Sequence, residues 1–300
     1  MLTAYPATFG HGSFAFNAHL NANGTPNVSN YRNTVTIDRR QSDPQFREGR
    51  DAYQLTTGGA LGRSHKGFGL WRLSGRIIVP DATQAASLAD VERAMRAAFD
   101  PALCYLDAPA TDGVYTFDFT DPTLDTTNHP TGLIALRAYC RPMAQPSIVE
   151  NIGDAGRLDY TLGLIAADPR IYAQAETTLA LTPGSASGNV TNKGTWPAPL
   201  RATIVMAGAG ASNFTLARGG VSFVLDLSGV SGGQTVVVVM ETCAPYGRGR
   251  YITRAGAEAA SLKTSSPSTW LDVPVGTTSF AITNTTNVTS CTLAWRSAWA

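Results

Sequence analysis

Charge of one dominant sign is missing from this chain: 23 basic and 22 acidic side chains leave a formal net charge of +1, and only 15% of the 300 residues are charged. So thin and balanced a charge generates no strong field, which argues against a nucleic-acid coat protein and against an acidic tail. Cysteine is scarce as well. Cys104, Cys140, Cys243 and Cys291 stand far apart with no Cys-x-x-Cys spacing, so neither a zinc ribbon nor a dithiol redox motif is indicated and four buried thiols are expected. Nowhere do roughly eighteen apolar residues run together, and Met1 to Leu20 shows no basic stretch followed by an apolar one. Neither a membrane span nor a signal peptide is expected, and the protein is expected to be soluble and made in a cytoplasm. Six Asn-x-Ser/Thr triplets, among them those at Asn23, Asn189 and Asn287, then read as chance products of a chain rich in Asn and Thr.

What the chain does contain is turn-forming residues and apolar ones in short runs. Its 29 glycines, 17 prolines and abundant Thr, Ser and Asn suit many short strands joined by turns, and a surface partly covered by neighbouring subunits. With 43% hydrophobic residues the chain is long enough for two ordinary cores. Period-two alternation appears in Asn33 to Ile37 and more strongly in Leu70 to Val79, where Trp71, Leu73, Ile77 and Val79 oppose Leu70, Arg72, Ser74, Arg76 and Ile78. It returns in Val114 to Phe119, Gly132 to Tyr139 and Leu158 to Ile165. Between the first two strands, Arg39 to Arg63 mixes Arg39, Arg40, Arg47 and Arg50 with Asp43, Glu48 and Asp51; this reads as a solvated or subunit-contacting loop rather than a phosphate site.

One helix is expected over 87–99. Ser87 stands as its N-cap with Asp90 three residues on, Leu88, Val91, Met95 and Phe99 recur near helical spacing, Glu92 and Arg96 form an i,i+4 pair, and Pro101 stops it. From about residue 176 helical periodicity disappears. Thr177–Leu181, Leu200–Met206, Val221–Leu227, Val236–Met240, Trp270–Val273 and Ser279–Ile282 are strand candidates, punctuated by Gly219-Gly220 and Gly232-Gly233. The expected fold is mainly β: residues 1–175 form a β-sheet domain with one packed helix, and residues 176–300 an antiparallel β-sandwich.

Residue types able to do chemistry are present without the spacing chemistry needs. Asp112, Asp118, Asp121 and Asp125 make an acidic stretch that invites comparison with a glycosidase pair or a calcium loop. Pro122 interrupts it, however, and alternation puts Asp118 on the solvated side of a strand. His11, His19, His65 and His129 are scattered and lack any metal-ligand spacing. Gly247-Arg248-Gly249-Arg250 has no lysine or following helix to make a phosphate loop, and is expected to be a turn near a subunit contact. Gly62-Arg63-Ser64-His65-Lys66-Gly67 is basic and glycine-rich; an exposed loop is the ordinary reading and a DNA-facing loop the functional one. Trp270, Trp295 and Trp299 suit core or interface positions better than a sugar-stacking platform. No catalytic, cofactor-binding or metal-binding residue is therefore expected, and no cofactor.

Several segments, in order, carry a family resemblance. Gly75-Arg76-Ile77-Ile78-Val79, the helix and Pro101, Tyr160-Thr161-Leu162-Gly163-Leu164, and Ala167-Asp168-Pro169-Arg170-Ile171-Tyr172 resemble the first domain of siphophage distal tail (Dit-like) proteins. Asn192-Lys193-Gly194-Thr195-Trp196-Pro197-Ala198 and Ser268-Thr269-Trp270-Leu271-Asp272-Val273-Pro274-Val275-Gly276 resemble the opening and a late strand of their second, galectin-like domain. Leu293-Ala294-Trp295-Arg296-Ser297-Ala298-Trp299 is similar to the ends of phage minor tail proteins. The resemblance covers about residues 70–300. It implies a non-enzymatic virion protein of the tail tip, forming a ring, usually of six subunits, with first domains making the ring and second domains projecting outward. The implied partners are other copies of the chain, the tail tube protein, the tail hub and tip proteins and a receptor-binding protein, with DNA only passing through the lumen. Two other classes stay open: a carbohydrate- or receptor-binding tail protein of β-sandwich type, and a glycosidase accessory to the tail that would use Asp118 and Asp121.

Overall fold

The computed structural model describes residues 7–9, 14–16, 32–41, 69–78, 85–102, 115–122, 127, 129–150, 157–166, 168–241, 245, 250–264 and 268–299. Strands dominate, with one α-helix longer than a single turn among the described residues, as the alternation predicts. The chain divides into two compact units, Met1–Ile171 and Tyr172–Ala300, and each is considered by itself.

The first unit contains β1 (Ala7–Phe9), β2 (Phe14–Phe16), β3 (Arg32–Gln41), β4 (Gly69–Ile78), helix α1 (Ala85–Ala98), β5 (Tyr115–Pro122), β6 (Leu133–Pro142), β7 (Ser147–Glu150) and β8 (Arg157–Ala166). The strands pair antiparallel in the order β2-β1-β5-β6-β8-β4-β3, with β7 also on β8. Strand β6 turns the corner between the two halves of this sheet. It pairs with β5 from Leu133 to Cys140, then passes to β8 at Arg141 and Pro142. Pro142 cannot donate to a ladder, Met143 N–H donates to Gly163 O at 2.9 Å, and β7 resumes along the same edge of β8 after Pro146.

Register makes the core. Trp71 lies opposite Leu164, Leu73 opposite Leu162 and Ile77 opposite Leu158, while Phe117 faces Ala138 and Phe119 faces Leu136; all ten are buried. Although β4 and β5 are three places apart in the sheet, the Trp71 ring meets Phe117 and Phe119 edge-on at 5.9 and 5.3 Å, and the two Phe rings stack at 5.3 Å. The sheet therefore curls over on itself and encloses these rings.

Two sequence expectations need correction. Helix α1 starts at Ala85, so Ser87 lies inside the first turn and is not the residue that opens it; Ala85 and Ala86, strong helix formers, extend it upstream. Asp90 accepts from Arg93 at 2.8 Å on the exposed face, and Glu92 pairs with Arg96 at 2.7 Å as the spacing predicts. Arg39 and Arg40 belong to β3 rather than to a loop, because β3 continues to Gln41; residues 42–63 lie outside the described residues.

The second unit holds β9 (Ile171–Ala173), which begins one residue before it, then β10 (Thr177–Leu181), β11 (Ser187–Asn192), β12 (Ala198–Met206), β13 (Phe214–Arg218), β14 (Val221–Leu225), β15 (Thr235–Val239), β16 (Tyr251–Arg254), β17 (Ala257–Glu258), β18 (Asp272–Val273), β19 (Gly276–Thr283), β20 (Val288–Trp295) and β21 (Ala298–Trp299). One sheet runs β10-β20-β12-β15-β16-β17 with β18 on the start of β12, and the other runs β11-β19-β13-β14. Buried alternation on both sheets, for example Leu200, Ala202, Ile204 and Met206 on β12 and Phe280 and Ile282 on β19, supplies the core. Gly219 and Gly220, at φ +51° and +83°, make the tight β13–β14 hairpin in the backbone region that glycine enters without strain.

Truncating the ring that closes the first unit tests this account of its core. Trp71→Ala is expected to cost about 3–5 kcal/mol, and Arg72→Ala on the opposite face within about 0.5 kcal/mol, both read from denaturant unfolding followed by near-ultraviolet circular dichroism.

Candidate functional site

The acidic stretch forms a cross-strand ion pair. Asp118 sits directly across from Arg137 in the β5–β6 register, and its two oxygens accept from Arg137 Nε and an Nη at 2.6 and 2.7 Å. This half-buried bidentate pair raises the guanidinium pKa further, mainly through the hydrogen bond to Asp118. Asp121 is three positions along the same strand and so projects from the other face. The two carboxylates do not converge on a cleft. Asp112 and Asp125 lie outside the described residues, as do His11, His19 and His65, Cys104 and Cys243, and the loops Gly62–Gly67 and Gly247–Gly249.

The remaining candidates are built into the structure. His129 starts the turn closed by Gly132 N–H on His129 O at 2.8 Å. Cys140 and Cys291 are buried, and burial pushes the Cys291 thiol up to about 12, far from the reactive range. Among the described residues no three His, Cys, Asp or Glu side chains stand close enough to hold a metal, and no helix is long and apolar enough to cross a membrane. Trp295 is buried in β20 with its indole N–H on Thr191 O at 3.0 Å, so the three tryptophans do not share one exposed platform.

A different set of residues stands out. Three polar or charged residues are buried among those described, Arg170, Asn192 and Ser297, and each falls in one of the sequence segments that carries the family resemblance. Burial of such groups is costly unless every polar atom finds a partner. Arg170, 6% exposed, holds Asp168 through Nε and an Nη at 2.8 and 3.0 Å, just after β8.

Asn192, 1% exposed at the end of β11, reaches four main-chain groups. Its amide nitrogen donates to Trp196 O at 2.7 Å and Val273 O at 3.2 Å. Its oxygen accepts from Gly194 N–H at 3.0 Å and Ala298 N–H at 3.3 Å. Around it Lys193 N–H donates to Ser297 Oγ at 3.0 Å, Trp196 N–H to Ala298 O at 2.9 Å and Ala173 N–H to Ser297 O at 2.8 Å, while Arg296 donates to the carbonyls of Ala173 and Gln174. Ala298 passes so close that a Cβ on Gly194 would sit 1.8 Å from its carbonyl oxygen. One buried amide thus ties the β11–β12 turn, β18 and the carboxy-terminal segment together.

Asn192, Lys193, Gly194, Trp196, Val273, Arg296, Ser297 and Ala298 all lie in segments singled out in the sequence, but their joint role was not legible there. A glycine two positions after an Asn, followed by Trp-Pro, signals a turn; it carries no sign of partners 81 and 106 positions away.

Charged groups elsewhere pair locally. Arg76 lies opposite Asp159 in the β4–β8 register and donates to it at 2.7 Å, with Arg157 on the second carboxylate oxygen at 3.2 Å. The Arg76 hydrogen bond is the main cause holding the Asp159 carboxyl below its ordinary value of 3.8. Arg218 donates to both the carbonyl and the carboxylate of Asp272.

Comparison with known proteins bears on these segments. No family model matches the chain, and no curated protein matches it. Among solved structures it is similar to the chain described as "Crystal Structure of SPP1 Dit (gp 19.1) Protein, a Paradigm of Hub Adsorption Apparatus in Gram-positive Infecting Phages", with a TM-score of 0.52 and 14% sequence identity over 98% of this chain and 99% of that one. The likeness is one of fold and runs nearly end to end.

Asn192→Ala is expected to cost about 3–5 kcal/mol, because four main-chain groups lose a partner where water does not reach them; the drop in thermal midpoint of the purified protein measures it. Asp159 predicts a pH effect of defined sign. Its depressed pKa adds stability that is fully present above the unfolded carboxylate value and is lost as pH falls through the folded one. Asp159→Asn is expected to flatten the unfolding free energy below about pH 4, measured by denaturant titration across pH, and to leave the slope near neutrality unchanged.

Proposed function

We propose that this protein is a structural subunit of a long-tailed bacteriophage, the distal tail protein, which closes into a ring and joins the tail tube to the tail hub, the tip and the receptor-binding components. The observation that carries this reading is the fold shared with SPP1 Dit over 98% of the chain. The order of the family-like segments supports it independently, and so does their chemistry: the buried polar residues in them are structural partners rather than reactive groups.

In this reading the ring holds six copies, residues 1–175 form it, and residues 176–300 are a galectin-like sandwich projecting outward. The protein has no enzymatic activity and no cofactor, is made in the host cytoplasm, and resides in the virion at the tail tip. DNA passes through the lumen without being bound, and no membrane is involved. A closed ring needs two different contact patches on each subunit, which a weakly charged surface accommodates without long-range repulsion between copies. A glycosidase would need two facing carboxylates, whereas Asp118 is held by Arg137.

Native mass spectrometry of the full chain tests the proposal: an assembly of six times the 31.6 kDa chain mass is expected, with no hydrolysis of bacterial cell-wall glycans. A strictly monomeric protein that binds such glycans on an array contradicts it and favours the receptor-binding class.

A further inference from the structure

Two cations converge on one aromatic ring in the second unit. Arg250 Cζ and Lys263 Nζ each lie 5.8 Å from the centroid of the Trp270 ring, within the range at which the ring quadrupole attracts a cation. Their separation therefore cannot exceed twice that distance, a span that a few residues of one extended segment cover.

Neither cation forms an ion pair among the described residues; the polar contact of the Lys263 ammonium is with Thr264 O at 3.5 Å. Asp272, two positions along from the ring, is engaged by Arg218.

The ring itself is firmly held. Trp270 packs on the buried Phe223 ring at 5.0 Å. The chain before it is laced to the outer edge of β14: Thr264 N–H donates to Val224 O at 3.2 Å, Val224 N–H to Ser268 Oγ at 3.0 Å and Thr269 N–H to Ser222 O at 2.7 Å. Leu271 is buried immediately after it. The two flexible side chains lean against a fixed ring, so part of the entropy of ordering them is already spent. With cations over the ring, the indole is less a stacking surface for a sugar or base than a support for the charges.

We propose that Arg250, Lys263 and Trp270 form a docking point for an acidic segment of a partner protein, whose carboxylates bridge the two cations. An extended segment with acidic residues at alternate positions places its carboxylates about 7 Å apart on one side, a spacing that two cations around a single indole can meet. The choice of a protein segment over a phosphate polymer rests on the structural-subunit reading above.

The test uses the full chain and a fluorescent peptide of alternating Glu and Ser, with a Gln-Ser peptide and inorganic polyphosphate as comparison probes, followed by anisotropy at low and physiological salt. The acidic peptide is expected to bind, to weaken with salt, and to lose roughly tenfold in affinity with Arg250→Gln/Lys263→Gln, while Arg72→Gln/Arg141→Gln, which removes two exposed charges from the first unit, leaves it unchanged. Trp270→Leu is expected to weaken binding with both cations still in place. Equal binding by both double variants, no binding at all, or binding of polyphosphate without the acidic peptide overturns the proposal. The assembly state of the same samples is read separately by native mass: rings without peptide binding sink the docking point alone, and peptide binding without rings sinks the subunit reading alone.

Discussion

The short segments of the second unit converge on a single buried side-chain amide. Asn192 gives each of its polar atoms two main-chain partners, and those partners lie on the β11–β12 turn, on β18 and on the carboxy-terminal segment. None of these pieces is long enough to hold itself in place: β18 and β21 are two residues each. A short strand gains little from its own ladder, so its position must come from specific bonds to neighbours. The close pass of Ala298 over Gly194 follows from the same requirement, because only a residue without Cβ lets the two backbones approach near enough for the amide to reach both.

The first unit meets the corresponding problem with aromatic packing rather than with a buried amide. A curled sheet must change partner somewhere, and β6 does so where Pro142 removes a donor and Met143 reconnects to Gly163. Trp71, Phe117 and Phe119 then fill the inside of the curl. The outer faces are finished with cross-strand ion pairs set by register, Asp118 with Arg137 and Asp159 with Arg76. These pairs cancel charge locally, each carboxylate meeting a guanidinium on the neighbouring strand.

Legibility in the sequence followed burial geometry. Strands with one clean apolar face, β4, β5, β6, β8 and β10, were visible as alternation because the pleat alone decides which side chains are buried. β11 was not, since Val190 is the one large apolar residue in Ser-Gly-Asn-Val-Thr-Asn, and β20 was not, since Cys291, Leu293, Ala294 and Trp295 are buried without a strict period of two. The start of α1 was missed because two alanines carry helix propensity and no capping signal. The Asn192 network was hidden for a different reason: hydrogen bonds between distant segments leave no periodic trace. Its residues nevertheless appeared in the family-like segments.

Closure of the subunits is where the structural reading is most exposed. Single-particle images of the purified chain, averaged without imposed symmetry, measure it directly. A ring with a central opening and six-fold rotational symmetry, in which each copy meets its neighbours through two different surfaces, is the predicted result. A population of single chains, or of two-fold dimers joined through one shared surface, would contradict it.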